Sequence, residues 1–394
     1  MSSSTSSSDR KLVMIPGPIE FSDGVLNAMS TSSQSHTSPE FIKVFQEVLV
    51  NTRKLFQSTD SSAQPIVISA SGTLGWEICG ANFVDKEDKV LVLSTGFFSD
   101  SFADCLKIYS DNVDIIDASS FGNIVPYDLI ESTLKSAKES GKPYNLITIT
   151  QVDTSSGVLS NVEKISSIVK SISPETLIVV DGVCSIAVED LKFDSWGIDY
   201  ALTASQKAIG VPSGLSISFA SGRAMEKALN PNRKITSFYS NLKKWVPIMK
   251  AYESGNPAYF ATPPIQLIHA LRQSLREILS VEGGVETRIL KHHESSEKFK
   301  NNLNSIGLKL VPEREVAANG LSAIYFPEGI DGPALLKKIS DKGINLATGI
   351  YKDYKTKYFR VGHMGVSSIG EGRNDVDLCF KYIKESLEEL GYKQ

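Results

Sequence analysis

Cysteine and histidine are scarce in this sequence, and neither is arranged to bind a metal. The 394 residues include five histidines, and no H-E-x-x-H segment occurs. The adjacent residues His292 and His293 would point about 100° apart on a helix, so they cannot chelate one ion together. There are four cysteines, and they lie far apart without a C-x-x-C pair: Cys79, Cys105, Cys184 and Cys379. We therefore expect free thiols in a reducing compartment and no metal site.

The sequence also lacks long apolar segments and a large excess of charge. No run approaches the roughly 18 consecutive apolar residues that cross a bilayer. Lysine and arginine number 41 against 45 aspartates and glutamates, which gives a formal net charge of −4. This balance disfavours a basic nucleic-acid surface, so we expect neither nucleic acid nor a membrane as a partner.

Recognised targeting signals are missing as well. Residues 1–11 are dominated by serine and are predicted to form a disordered tail. A transit peptide would need several arginines along an amphipathic helix, and a secretory signal would need a longer apolar segment. The C-terminal residues do not form a peroxisomal S-K-L ending. We expect a cytoplasmic protein, with a mitochondrial location as the alternative.

The phosphate-binding loop G-x-x-x-x-G-K-[ST], the dinucleotide fingerprint G-x-G-x-x-G and the hydrolase segment G-x-S-x-G are all absent. Their absence disfavours nucleotide-dependent and esterase-like functions for a parallel sheet.

What the sequence does contain is an alternation of short β-branched runs and longer amphipathic segments, which is typical of a parallel sheet covered by helices. Ser38 can cap the first of these helices, with Pro39 in its first turn. Seven strands are predicted, at residues 65–70, 89–94, 112–116, 145–150, 176–181, 200–204 and 215–220. We predict an α/β fold with an N-terminal arm (12–37), a large domain with a mostly parallel seven-stranded sheet (38–263), and a smaller C-terminal α+β domain (264–394).

Ligands of open α/β sheets bind beyond the carboxyl ends of the strands. Residues 71–73 (Ser-Gly-Thr) follow the first strand and open a helix whose free N–H groups suit a phosphate. Phe97 and Phe98 follow the second strand and could stack on an aromatic ligand, and residues 153–157 form a hydroxyl-rich turn after the fourth. Taken alone, each is more commonly a helix cap, a hydrophobic helix start or a turn.

Of two charged residues at this edge, Asp181 is harder to explain structurally, whereas Lys207 taken alone is more commonly a surface lysine. Asp181 ends a run that would be buried, so its carboxylate needs a partner, which a cationic ring nitrogen would supply. Lys207 follows another strand, and a lysine at an apolar edge loses its proton readily and becomes a Schiff-base nucleophile. A phosphate cradle, a stacking ring, hydroxyls, a carboxylate and a lysine together indicate pyridoxal 5′-phosphate (PLP).

Nearly the whole sequence resembles the class V, fold type I PLP-dependent aminotransferases, and most closely the alanine–glyoxylate aminotransferases of fungal type. The resemblance rests on seven segments: residues 15–18 (IPGP), 36–41 (HTSPEF), 69–76 (SASGTLGW), 180–183 (VDGV), 204–208 (ASQKA), 259–263 (YFATP) and 359–365 (FRVGHMG).

The resemblance implies two catalytic residues. Lys207 would form the Schiff base with PLP and move the substrate proton, and Asp181 would keep the pyridine nitrogen protonated. The remaining cofactor-binding residues would be Ser71, Gly72, Thr73 and Gln206 at the phosphate, Phe98 and Val183 on the two ring faces, and Ser155 at the phenolic oxygen.

The resemblance also implies a homodimer with shared active sites, in which Tyr259 and Thr262 reach the phosphate of the partner subunit. Arg360 would bind the substrate α-carboxylate, and Gly17 of the arm would line the substrate pocket. Some relatives carry a tryptophan where this sequence has Phe98, or a histidine where it has Thr73, and neither change removes a catalytic group.

The implied reaction transfers the amino group of L-alanine to glyoxylate, which gives pyruvate and glycine. A serine–glyoxylate or serine–pyruvate aminotransferase is the alternative on the same scaffold. A cysteine desulfurase would need a nucleophilic cysteine on a mobile loop, whereas Cys379 falls at a core-like helix position. A binding protein without activity would be expected to have lost Lys207 or Asp181, and both are present.

Overall fold

The computed structural model describes residues 10–280 and 283–393, so most of the predicted tail at residues 1–11 lies outside the described residues. The strands are β1 (Leu12–Val13), β2 (Gln64–Ser69), β3 (Lys89–Ser94), β4 (Asn112–Asp117), β5 (Leu146–Thr150), β6 (Val152–Asp153), β7 (Val158–Leu159), β8 (Leu177–Asp181), β9 (Tyr200–Ala204), β10 (Leu215–Ala220), β11 (Leu321–Tyr325), β12 (Ile344–Asn345), β13 (Ala347–Thr348) and β14 (Tyr358–Gly362). The α-helices are α1 (Asp23–Met29), α2 (Pro39–Leu55), α3 (Thr73–Phe83), α4 (Phe97–Leu106), α5 (Tyr127–Glu139), α6 (Val162–Ile172), α7 (Phe193–Trp196), α8 (Gly222–Leu229), α9 (Leu242–Glu253), α10 (Ile265–Ser280), α11 (Gly284–Ser305), α12 (Gly332–Asp341), α13 (Val366–Ile369) and α14 (Asp375–Glu389).

All seven predicted strands join one sheet, in the order β2-β10-β9-β8-β5-β3-β4. Strands β9, β8, β5, β3 and β4 run parallel to one another, and β10 is antiparallel to both of its neighbours. Every residue of β5, β8 and β9 is buried, as expected for strands covered by helices on both faces. The prediction of a mostly parallel seven-stranded sheet is confirmed.

Local sequence signals account for the ends of the first long helix. The hydroxyl of Ser38 accepts a hydrogen bond from the backbone N–H of Phe41 at 3.2 Å, and Pro39 occupies the first turn, where its missing N–H costs nothing. The apolar face of α2, which includes Phe45 and Val48, packs into the same core as the sheet.

A second hydrophobic core lies in the C-terminal part, where β11, β14 and β13 form a three-stranded antiparallel sheet. The N-terminal arm reaches this part, because β1 pairs in parallel with β12 and Met14 belongs to the second core. Further along the arm, Ile19 and Val25 belong to the first core. The arm therefore ties the two cores together.

Helix α10 packs with the large domain, although the predicted boundary at residue 264 would assign it to the small one. Its Ile268, Leu271 and Leu275 are buried in the first core, whereas Phe299 and Leu303 of α11 belong to the second. We therefore propose that the domains divide within α11.

Within the described residues, no helix is both long and apolar enough to cross a membrane. The four cysteines are free thiols. Across the same residues, His, Cys, Asp and Glu side chains form no group of three or more that could hold a metal ion.

Candidate active site

A cavity of about 140 Å³ lies at the carboxyl edge of the sheet. The parallel strands end there together, which brings residues distant in sequence to one place. The cavity is lined by Ser71, Gly72, Thr73, Trp76, Phe98, Thr150, Val152, Thr154, Asp181, Val183, Cys184, Gln206 and Lys207.

Asp181 is held by two hydrogen bonds at the end of β8. Its Oδ2 accepts from the indole Nε1 of Trp76 at 2.8 Å, and its Oδ1 accepts from the backbone N–H of Val183 at 3.0 Å. Burial raises the pKa of Asp181 to about 6, and those two hydrogen bonds offset part of the rise. A cationic group in the cavity would stabilise the ionised carboxylate.

Lys207 meets the N-terminal arm, because its Nζ donates a hydrogen bond to the carbonyl of Pro16. Gly17 lies beside it with φ of +111°, and a Cβ on Gly17 would lie 2.7 Å from Nζ of Lys207. Glycine is needed here both for the backbone and for the space. The predicted substrate-pocket residue Gly17 thus lies against the predicted nucleophile.

Ser71, Gly72 and Thr73, the predicted phosphate cradle, line the cavity at the start of α3. A Cβ on Gly72 would lie 3.0 Å from Val183 and 3.1 Å from Ala204, so a larger residue would crowd the cradle. The backbone N–H groups of Leu74 and Gly75 donate to the carbonyls of Ser71 and Gly72 at 3.1 and 2.8 Å, so an anion would be bound by polar groups that precede them at the start of the helix. Gln206 also lines the cavity, and its buried Oε1 has no hydrogen-bond partner among the described residues.

Phe98, rather than Phe97, lines the cavity. The buried carboxylate of Asp153 orients the start of α4, since its Oδ2 accepts from the backbone N–H groups of Phe98 and Ser99, both at 3.1 Å. Burial raises the pKa of Asp153, and hydrogen bonds from Ser155 and Ser99 counter the rise. Asp153 acts as a side-chain cap for α4 and so positions the Phe98 ring.

Ser155 does not reach the cavity, in contrast to its predicted place at the cofactor. Its hydroxyl donates to Oδ1 of Asp153 at 2.6 Å and accepts from the backbone N–H of Phe97 at 2.8 Å. The neighbouring Thr154 lines the cavity instead. The turn closes around Asp153, and the Ser155 hydroxyl is engaged by Asp153 and by the start of α4.

Arg360 lies behind Thr154 and is nearly buried on β14. Its Nε donates to the carbonyl of Thr348 at 2.8 Å, and its Nη1 donates to the carbonyl of Thr154 at 3.2 Å. Burial lowers the pKa of Arg360. Arg360 is linked to the cavity through Thr154 and is not itself one of the lining residues.

Tyr259 and Thr262 are not brought to this cavity. The Tyr259 side chain is 62% exposed, its hydroxyl lies 3.3 Å from that of Thr262, and its ring lies 5.2 Å from the ring of His36. Their predicted contact with a partner subunit's cofactor stays a prediction.

Sequence reasoning did not assign Trp76 or Cys184 to the site, and it included Asp153 only as part of the turn at residues 153–157. Trp76 lies one turn after Thr73 on α3, so helical spacing could have indicated that both face one side. Burial raises the pKa of Cys184, which is opposite to the lowering that makes a thiol reactive. Cys379 is buried in the second core, where burial also raises its pKa.

Comparison with known proteins agrees with this fold. The family model described as aminotransferase class-V matches residues 18–351. The chain therefore belongs to the class V aminotransferases, whose solved structures share this fold type I architecture.

Among individual proteins, the chain is 46% identical to alanine–glyoxylate aminotransferase 1 of Saccharomyces cerevisiae over 385 residues, which are 95% of this chain and 97% of that protein. It is 28% identical to a serine–glyoxylate aminotransferase of Arabidopsis thaliana, across 97% of this chain and 92% of the relative. The crystal structure of an alanine–glyoxylate aminotransferase from Nostoc sp. superposes with a TM-score of 0.86 at 27% identity, covering 96% of this chain and 95% of the other.

Proposed function

We propose that this protein is a PLP-dependent transaminase that transfers the amino group of L-alanine to glyoxylate and forms pyruvate and glycine. The observation that carries the chemistry is that Lys207 and Asp181 line one cavity together with a phosphate cradle. The choice of alanine and glyoxylate is supported by the 46% identity to the yeast enzyme.

The residues present fit PLP. The Ser71–Gly72–Thr73 cradle and Gln206 would hold the phosphate, and Phe98 and Val183 would contact the ring. Thr154, in place of Ser155, would serve the phenolic oxygen. When bound, PLP supplies an electrophilic carbon for the amino group and a ring that accepts electrons.

The two charged residues of the cavity, Lys207 and Asp181, would have different roles in the reaction. Lys207 would provide the amine that holds the cofactor and would then move a proton at the substrate Cα. Asp181 would remain ionised opposite the ring nitrogen, and its bonds from Trp76 and Val183 would keep it aimed there.

The choice of substrate would follow from the small number of positively charged residues at the cavity. Arg360, which lies behind Thr154, would bind the α-carboxylate, and Lys207 is the sole cation among the thirteen residues that line the cavity. A second carboxylate on the substrate would be buried without a partner, which is costly. Alanine, serine and glyoxylate fit this pocket better than glutamate or aspartate.

A homodimer would complete the site. The exposure of Tyr259, at 62%, suits a residue that reaches the phosphate of a partner subunit, together with Thr262. Sedimentation with and without PLP tests this assembly, and an active monomer would contradict it. A cytoplasmic location, with mitochondria as the alternative, belongs to the same proposal and is tested by imaging a C-terminally tagged protein.

The decisive experiment measures initial rates of the purified holoenzyme with L-alanine, L-serine, L-aspartate and L-glutamate, using glyoxylate and pyruvate as acceptors. Alanine with glyoxylate should be the best pair, and Lys207→Ala should lose both activity and the yellow colour. A higher kcat/KM for serine would favour the serine-dependent alternative. Sulfur release from L-cysteine as the main activity would refute the transaminase proposal.

A further inference from the structure

Arg288 of α11 bridges the two segments that follow Lys207 and Asp181. Its Nη2 donates a hydrogen bond at 2.8 Å to the carbonyl of Ala208, the residue directly after Lys207. Its Nε donates at 3.2 Å to the carbonyl of Ala187, which lies in the segment after Asp181. Ala187 has φ of +69°, a left-handed conformation that residues with a side chain rarely adopt. One side chain therefore joins the chain beyond the predicted nucleophile to the chain beyond the predicted partner of the ring nitrogen.

The guanidinium of Arg288 is buried without a counter-charge. Arg288 is 9% exposed, and no carboxylate of residues 10–280 or 283–393 forms an ion pair with it. Burial lowers the pKa of Arg288 to about 10, so the group stays charged at neutral pH. A buried charge is costly, and an apolar side chain of similar size often stabilises a fold as well or better. The guanidinium is therefore better explained by the two carbonyls that it holds in place.

The carbonyls of residues 207–209 all accept hydrogen bonds. That of Lys207 accepts from the backbone N–H of Gly210 at 2.7 Å, and that of Ile209 accepts from the hydroxyl of Ser274. The arginine supplies the bond to the middle carbonyl. Its removal would leave a buried carbonyl unpaired directly beside the nucleophile, so this part of the backbone would lose one of its fixed positions.

His292 lies one turn after Arg288 and extends these contacts to the C-terminal part. Its Nδ1 donates to the carbonyl of Arg288 at 2.8 Å, and its Nε2 accepts from the backbone N–H of Gly365 at 3.0 Å. Burial lowers the pKa of His292 to about 3, so the ring is neutral and accepts this bond at neutral pH. Gly365 follows Arg360 in the segment 359–365. One turn of α11 thus contacts the segments that follow all three charged residues proposed to act in the site.

We propose that Arg288 is a positioning residue, which fixes the backbone beside Lys207 so that the Lys207 amine meets the substrate Cα at the distance that proton transfer requires. This inference rests on the proposed transaminase function. Arg288 is not among the residues that line the cofactor cavity, so it acts through the backbone of Ala208. A displacement of about 1 Å can slow a reaction by about 100-fold. Loss of Arg288 should therefore slow proton transfer at Cα more than it weakens substrate binding.

Hydrogen–deuterium exchange of the cofactor-free protein measures the positioning directly. Arg288→Met removes both donors at similar length, so the peptide that covers residues 205–211 should exchange about tenfold faster than in the wild type. Lys300→Met is the matched control, because Lys300 is a buried cation of the same helix whose Nζ donates to the carbonyl of Ala317 instead, at 3.0 Å. This control should leave the exchange of residues 205–211 within about twofold of the wild type. Equal exchange in the two variants would overturn the proposal.

Rates of the holoenzyme give a second, independent measure. In Arg288→Met, kcat with alanine and glyoxylate should fall by about tenfold or more, while KM for alanine stays within about twofold. The kinetic isotope effect of alanine deuterated at Cα should rise above the wild-type value, because proton transfer becomes slower relative to the other steps. An unchanged isotope effect in Arg288→Met, or the same rise in Lys300→Met, would show a purely structural role and overturn the proposal.

Arg288→Lys decides the question if Arg288→Met does not fold. It keeps the charge, but its single amine can reach only one of the two carbonyls at a time, so exchange and isotope effect should both rise by smaller amounts. Wild-type values for both would overturn the proposal. A wild-type protein that transaminates no amino acid would refute the proposed function, whereas unchanged exchange in the Arg288 variants of an active enzyme would refute the role of Arg288 alone.

Discussion

The indole Nε1 of Trp76 donates a hydrogen bond to Oδ2 of Asp181 across 2.8 Å. The indole ring is itself held by stacking on Phe102, with ring centroids 5.4 Å apart and planes 14° from parallel. Trp76 therefore positions the carboxylate that would face the cofactor ring nitrogen, and it does so through a rigid aromatic side chain.

Trp76→Phe tests this positioning role, because it keeps an aromatic ring and removes the donor. Loss of the hydrogen bond should raise the pKa of Asp181 further above its value of about 6. The affinity for PLP should fall by about tenfold at neutral pH. The pH below which PLP binding weakens should also rise, because Asp181 takes up its proton at a higher pH. Absorbance titrations with PLP at several pH values measure both effects. Phe102→Leu removes the stacking partner and keeps the donor, so it should retain the wild-type pH dependence.

Asp181→Asn should separate function from stability. In the cofactor-free protein, burial raises the pKa of Asp181 from 3.8 to about 6, so the folded state binds the proton more tightly than the unfolded state. The ionised carboxylate therefore destabilises the fold at neutral pH, and this cost disappears as the pH falls from about 6 to about 4. In Asp181→Asn the amide NH2 cannot accept one of the two hydrogen bonds from Trp76 and Val183, which costs stability at every pH, whereas removal of the charge gains about 1–3 kcal/mol at pH 7.5 only. The free energy of unfolding relative to the wild type should therefore be about 1–3 kcal/mol higher at pH 7.5 than at pH 4. Urea unfolding of the cofactor-free protein checks this, while activity should fall by orders of magnitude. Equal destabilisation at both pH values would contradict the argument.

Gly17→Ala should disturb Lys207 directly. The new Cβ would lie 2.7 Å from Nζ of Lys207, and the backbone φ of +111° disfavours alanine as well. We expect transamination to slow by about 100-fold, since the lysine must move. Gly141→Ala is the matched control, because φ there is +71° and nothing lies within 4 Å of its Cβ. That variant should lose only about 1 kcal/mol of stability and keep its rate. Similar rates for the two variants would show that contact with Lys207 is unimportant.

Arg360→Lys should weaken all substrates together. A lysine cannot keep the bonds to Thr348 and Thr154 and also hold a carboxylate with two parallel N–H groups. KM for alanine, serine and glyoxylate should rise by about tenfold or more, with their order unchanged. Arg223→Lys is the control, because Arg223 makes a two-bond contact with Asp199 outside the cavity. A KM for alanine that stays at the wild-type value in Arg360→Lys would exclude the proposed carboxylate contact.

The seven strands could be predicted because strands buried on both faces consist mainly of apolar and β-branched residues. Before Asp181, β5 and β8 contain only apolar residues and threonine, and the chain between them holds the amphipathic crossover helix α6. Asp181 stood out because it ends a buried strand, where a carboxylate needs a partner. Lys207, three residues beyond β9, gained its meaning only in combination with Asp181 and the other residues at this edge.

The resemblance to class V aminotransferases predicted a set of site residues but could not settle which of two neighbouring hydroxyl residues lines the cavity. Thr154 and Ser155 are adjacent and chemically alike. The Asp153 carboxylate decides between them, since it accepts hydrogen bonds from the backbone N–H and the hydroxyl of Ser155. Which of the two residues lines the cavity depends on the hydrogen bonds within one turn, and the amino-acid composition does not determine these bonds.

By itself, the sequence determined the order of strands and helices, the cap at Ser38 and the two charged residues at the sheet edge, because periodicity and local hydrogen bonding act over a few residues. Only the tertiary structure decided that α10 packs with the large domain, that Pro16 of the arm meets Lys207 and that Trp76 meets Asp181. An amphipathic segment shows which of its faces is buried and not what covers that face. These contacts join residues about 100 or more positions apart, so they exist only once the whole chain has packed.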